Sequence, residues 1–228
     1  TLWCWGYNGQ GQLGDGTTEN RNVPTYVDAG TTWASVSAGV LHTCGTKTDG
    51  TLWCWGANVF GQLGDGTMVD KWTPTYVDAG ATWTTVGGGY YYTCGTKDGG
   101  TLWCWGYNGQ GQLGDGTTVD KWTPTQVSGT TWDSVVAGSE HTCAKKGDGT
   151  LWCWGWNLYG QLGDGTMVER WTPTYVDAGA TWTTVSAGRY YTCGTKSDGT
   201  LWCWGSNGYG RLGDGTTVDK TTPSQVGN

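Results

Sequence analysis

The pentapeptide Leu-Trp-Cys-Trp-Gly occurs five times, beginning at Leu2, Leu52, Leu102, Leu151 and Leu201. Its cysteines mark the interval: Cys4, Cys54, Cys104, Cys153 and Cys203 are separated by 50, 50, 49 and 50 residues. A second series, Cys44, Cys94, Cys143 and Cys193, stands ten residues ahead of the last four. Self-similarity at this period belongs to propellers, solenoids or arrays, in which a unit buries its apolar side only against its neighbour. The repeat therefore overrides the one or two domains that 228 residues would otherwise suggest.

One unit, Thr31 to Gly80, reads as four short strands without helical periodicity. Strand A is TWASVSAG (32–39), B is HTCGTK (42–47), C is TLWCWG (51–56), and D is TPTYVD (73–78). Pro74 near the start of D suits an outer edge, where no amide donor is required. The fold expected is an all-β propeller of four-stranded antiparallel blades: a half blade of strands C and D over 1–30, then full blades over 31–80, 81–129, 130–179 and 180–228. These form one propeller domain or part of a longer array, and a chain starting at Thr1 inside a repeat reads as a mature or excised segment. Forty-three glycines and eighteen tryptophans beside one phenylalanine fit short strands and tight turns, with indoles supplying most of the apolar area.

Strands B and C are joined by Thr48-Asp49-Gly50, a three-residue hairpin loop with Gly at the left-handed position. If Lys47 faces Thr51, counting outward sets Cys44 opposite Cys54, and likewise Cys94 opposite Cys104, Cys143 opposite Cys153, and Cys193 opposite Cys203. Opposed residues in an antiparallel ladder have Cα atoms about 4.5–5.5 Å apart, which a disulfide accepts. Four cross-strand disulfides are expected, against the alternative of four buried thiol pairs in a reducing compartment, and Cys4 is left unpaired.

Other chemistries find less support. Zinc favours CxxC knuckles with further ligands close by, and each Cys pair here is two ligands short; His42 and His141 do not supply them, because Tyr92 and Tyr191 hold the same place in the other units. Asp15, Asp65, Asp115, Asp164 and Asp214, each followed four or five residues later by another acid, lack the EF-hand spacing for calcium. No HExxH, GxSxG or GxxxxGK[ST] occurs, so neither catalytic residues nor a cofactor is expected. A net charge of -7 argues against nucleic acid. No run of about eighteen apolar residues occurs, so no segment reads as a membrane-spanning helix.

The succession AGxxHTC, a DG turn, LWCWGxNxxGQLGDGT and a later TP resembles the regulator of chromosome condensation repeat, over almost the whole chain. The resemblance implies a β-propeller, usually of seven blades, with strand A lining the central channel and D outermost. Paired cysteines resemble those of a bacterial, exported branch. Departures are equally informative. Five C–D halves stand beside four A–B halves, and units of 49 or 50 residues leave no room for the inserted wedge that nucleotide exchange requires in the eukaryotic founder. The GWRHT runs of the plant ultraviolet photoreceptors are replaced by GVLHT, GYYYT, GSEHT and GRYYT. No residue singles out the partner of the β-lactamase inhibitors that share the fold.

The units differ after CWG (Tyr7, Ala57, Tyr107, Trp156, Ser206), before the GQL or GRL run, and between AG or GG and strand B. The A–B turn and the C–D loop leave a blade at the same end, so these variable slots share one face. That face carries Tyr7, Phe60, Tyr90, Tyr91, Tyr107, Trp156, Tyr159, Arg189, Tyr190 and Tyr209, the residue types enriched at interfaces. The leading expectation is a non-enzymatic extracellular or cell-surface module binding a protein or a glycan there. The rival is a self-associating structural subunit of a filament or surface layer, motivated by the near identity of the units. Thiol titration in denaturant should find one reactive cysteine before reduction and all nine after it; nine at the outset would remove the disulfides.

Overall fold

The computed structural model describes residues 1–28 and 31–227, and among them every regular element is a β-strand. The expected boundary at residue 30 and the last residue, Asn228, lie outside the described residues. A two-stranded sheet opens the chain, β1 (Trp3–Gly6) with β2 (Arg21–Tyr26). Four antiparallel four-stranded sheets follow, each in chain order. They are β3 (Trp33–Ala38), β4 (His42–Lys47), β5 (Leu52–Gly56) and β6 (Lys71–Val77); β7 (Trp83–Gly88), β8 (Tyr92–Lys97), β9 (Thr101–Gly106) and β10 (Lys121–Gln126); β11 (Trp132–Ala137), β12 (His141–Lys146), β13 (Leu151–Gly155) and β14 (Arg170–Val176); β15 (Trp182–Ala187), β16 (Tyr191–Lys196), β17 (Leu201–Gly205) and β18 (Lys220–Gln225). The first strands of successive blades, β3, β7, β11 and β15, contact one another, which places strand A innermost and strand D outermost.

The register between B and C follows from the hairpin. Lys47 N–H donates to the Thr51 carbonyl at 2.9 Å, Gly50 sits at φ +80°, and Cys44 pairs with Cys54 across the ladder. All four disulfides form, with Cα atoms 4.1 Å apart, and Cys4 is free. Strand D begins two residues earlier than the sequence suggests. In β6, Gly56 pairs with Lys71 and Cys54 with Thr75, so Pro74 lies in a bulge on the outer edge and not at the strand's start. A bulge tolerates the missing amide as well as a strand terminus does.

The core sits between blades. Leu52, Leu63 and Val77 of one blade pack with Trp83 and Trp105 of the next, and the same grouping recurs one blade later. The junction is wired through one carbonyl per blade. Gln62 O accepts the Thr93 hydroxyl at 2.8 Å and the Trp105 indole N–H at 3.0 Å. Gln12 O serves Thr43 and Trp55, Gln112 O serves Thr142 and Trp154, and Gln161 O serves Thr192 and Trp204. Gly64 completes the socket: it holds φ +77°, and a methyl there would fall 2.6 Å from the Trp105 ring nitrogen. The loop keeps its shape because Asn58 Oδ1 accepts Leu63 N–H at 3.0 Å while its amide donates to the Thr67 carbonyl at 3.1 Å.

The same tryptophan therefore has different worth in different copies. Trp55, Trp105, Trp154 and Trp204 are fully buried, whereas Trp5 of the opening sheet is 60% exposed. Trp105→Ala should cost about 3–5 kcal/mol in urea unfolding, and Trp5→Ala should cost within about 0.5 kcal/mol of nothing.

Candidate functional site

The loops at the A–B and C–D end form one rim. Ala57 N–H donates to the Leu41 carbonyl at 2.9 Å, tying the start of a C–D loop to the A–B turn of its own blade. Neighbouring turns are tied as well: Val40 N–H reaches Gly89 O, and Tyr90 N–H reaches Ser139 O, both at 3.2 Å. Between these turns lies a cavity of 470 Å³, lined largely by glycine and alanine, with Val40, Tyr90, Ser139 and Arg189 at its wall.

Most of the rim aromatics gather into two clusters at blade junctions. Phe60 lies 5.0 Å from Tyr91 and 5.1 Å from Tyr107, and Tyr90 stands edge-on to Tyr91 at 4.2 Å. Two blades along, Trp156, Tyr159 and Tyr190 form a triangle with centroid distances of 5.0–5.6 Å. The Arg189 guanidinium lies 4.9 Å from the Tyr190 ring. The clustered rings are half-buried, and both clusters join side chains of adjoining blades. Tyr7 and Tyr209 belong to neither cluster and are 60% and 90% exposed.

Glu140 is a rim residue that the sequence pattern did not single out, although it is the only acid in the four A–B slots. Burial raises its pKa, the Arg189 charge draws it down, and the Glu169 carboxylate raises it again. Cys4 borders a second cavity, of 460 Å³, beside β1. Burial and the Asp15 carboxylate push its thiol pKa up, which makes it a poor nucleophile.

The loop carboxylates are occupied internally. Burial pushes Asp65 up, but hydrogen bonds from Thr67 and Asn58 and the charge of Lys71 outweigh it, and the group stays below the ordinary carboxylate range. Among the described residues, no group of three or more His, Cys, Asp or Glu is placed to hold a metal ion.

The histidines are wired into blade junctions. His42 Nε2 lies 2.9 Å from Thr93 Oγ1, whose own hydrogen goes to Gln62 O, so Nε2 carries the proton and donates. His141 repeats this with Thr192 and Gln161. Each Nδ1 is buried without a partner, so a second proton would bring an unpaired charge into the core. Burial accordingly pulls both pKa values down to about 4 from an ordinary 6.5.

The regulator of chromosome condensation (RCC1) repeat matches residues 1–45, 49–95, 99–144, 148–194 and 198–228. Human WBSCR16 superposes with a TM-score of 0.86 at 20% identity, over 97% of this chain and 61% of that one. Yeast RCC1 (Prp20), in its complex with Kap60, gives 0.85 at 20% identity over 99% and 59%. The ectodomain of the Physcomitrella patens receptor kinase CR4 gives 0.57 at 26% identity over 81% and 44%. This chain thus spans about three fifths of the length of the first two. No curated protein matches the sequence.

Because the folded histidines stay neutral, stability should be complete above pH 6.5 and fall as pH drops from there toward 4, where only the unfolded chain gains protons. The loss is about 3 kcal/mol per histidine. Melting curves of a His42→Tyr, His141→Tyr variant, which copies the choice of the other two blades at Tyr92 and Tyr191, should flatten over that window; an unchanged pH profile would refute the assignment.

Proposed function

The chain belongs to the regulator of chromosome condensation repeat family, and on that premise we propose that it is a non-enzymatic protein-recognition module working outside the cell. Its partner docks on the rim formed by the A–B turns and C–D loops. The observation that carries this reading is the pair of aromatic clusters beside the cavity, which meet it through Tyr90 and Arg189. Rings packed edge-on or tilted between two blades are already ordered, so a partner meets them at little entropic cost. Tyr, Trp and Arg are the residues that dominate interface energetics. The binding set is Tyr7, Phe60, Tyr90, Tyr91, Tyr107, Trp156, Tyr159, Arg189, Tyr190 and Tyr209.

Two further observations support the assignment. Four disulfides suit an oxidising compartment, where they persist. Relatives of the same fold occur both as a partner-bound protein, yeast RCC1 with Kap60, and as a receptor-kinase ectodomain.

Affinity capture from native extracellular medium tests the rim directly. Arg189→Glu with Tyr209→Ala replaces two exposed side chains, so the melting temperature should hold while capture of the partner falls at least about tenfold. Asp98→Ala, in the B–C hairpin at the opposite end, should capture as the parent does. Equal capture by all three proteins would overturn the rim as the binding face.

A further inference from the structure

The outermost strands hold a second set of exposed aromatics, outside the two rim clusters and next to the C–D loops. Trp72, Trp122 and Trp171 are each the second residue of a D strand and are 50%, 50% and 48% exposed. Each indole edge rests on a glycine of the preceding blade: a methyl on Gly11, Gly61 or Gly111 would fall 2.5, 2.7 or 2.3 Å from the Trp Cδ1 atom. The backbone is pinned too, since the Trp72, Trp122 and Trp171 carbonyls accept the N–H of Gly16, Gly66 and Gly116 at 2.9, 3.0 and 2.9 Å. The rings are therefore fixed platforms with half their surface in solvent.

Packing does not require tryptophan there. Thr221 occupies the same place in the last blade, lies against Gly160, and accepts Gly165 N–H at 2.9 Å. The first unit has Asn22. Three solvent-facing indoles where threonine serves the fold equally well point outward, to a ligand. Val69, Val119 and Val168, three residues ahead of each tryptophan, are exposed as well, at 62%, 62% and 58%.

We propose that this outer belt binds a neutral polysaccharide, whose pyranose rings stack on successive indoles. Charge narrows the class. The cations next to the tryptophans, Lys71, Lys121 and Arg170, are committed to Asp65, Asp115 and Asp164 at 3.4, 3.1 and 2.7 Å, and the chain carries a net charge of -7. A polyanion finds no free counter-charge here. Arrangement narrows it again. A protein hot spot clusters at the centre of one patch, whereas these platforms recur once per blade on rigid strands. The next residue along each strand, Thr73, Thr123 or Thr172, is exposed and carries a hydroxyl. A polymer of identical rings matches a surface of repeated equivalent sites and gains avidity from engaging several at once.

The test is depletion of the full chain from solution onto microcrystalline cellulose, chitin and insoluble β-1,3-glucan, with sedimentation velocity run in parallel. The parent should be retained on at least one of the three. Each of Trp72→Thr, Trp122→Thr and Trp171→Thr should weaken retention roughly tenfold, and the triple variant should abolish it, as expected when linked weak sites are removed in turn. Threonine is the residue of the last blade at this position, so the variants keep the fold. The Arg189→Glu, Tyr209→Ala variant should be retained like the parent, which separates this surface from the rim. No retention on any of the three matrices, or retention that survives the triple substitution, would overturn the proposal. So would loss of self-association in the triple variant without loss of retention, which would assign the belt to a second copy of the chain.

Discussion

A single backbone carbonyl per blade, that of Gln12, Gln62, Gln112 or Gln161, takes two hydrogen bonds from the next blade, one from a threonine hydroxyl and one from an indole. Both lone pairs of a buried acceptor are satisfied, and so are two buried donors, in a setting where an orphaned group costs about 1–3 kcal/mol. Because these bonds run between sheets, they set how one blade sits on another. The position of the loops at the rim follows, and with it the meeting of Phe60 with Tyr91 and of Trp156 with Tyr190. Rim chemistry thus depends on a buried contact directly beneath it, since Phe60 and Tyr159 N–H donate to the Gln62 and Gln161 side chains at 2.9 and 3.0 Å.

The opposite end of each blade shows the same economy with charge. Lys97 places its ammonium 3.7 Å from the Trp103 ring and 4.8 Å from Trp83, and it also reaches Asp78 at 2.6 Å. Lys47 and Lys196 repeat the arrangement with Asp28 and Asp177. Lys146 keeps its two rings, Trp132 and Trp152, but the link ahead of it reads Ser128-Gly129 where the others carry Asp. In every blade an ammonium held over two aromatic faces gains from the ring quadrupoles, so the cation keeps its seat where the aspartate is replaced.

Legibility varied with the range of the interaction. The Cys44–Cys54 pairing could be read from a three-residue loop, since the register of a tight hairpin is a local matter. The start of strand D could not: Lys71 and Trp72 join the sheet through a bulge opposite Trp55, and nothing local announces where an edge strand resumes pairing. Nor could the five copies of the pentapeptide be told apart. Trp5 and Trp105 stand in the same words and differ by the presence of a neighbouring loop, which comes from a different unit. The variable slots were readable as one rim from strand direction alone, while their sorting into two clusters across blade junctions was not. Trp72, Trp122 and Trp171 precede the Thr-Pro that marks the strand in sequence, and the one local sign of a separate role was the change to Asn22 and Thr221 in the outer units.

The glutamine carbonyl socket accepts a threonine and an indole that every full blade offers, and it does so with backbone atoms, which do not change when a side chain does. Any blade can therefore follow any other. Recombination between near-identical gene segments could delete or duplicate whole units and still yield junctions that fit, so lineages carrying such a repeat have a ready route to shorter or longer versions of it without first evolving a new contact.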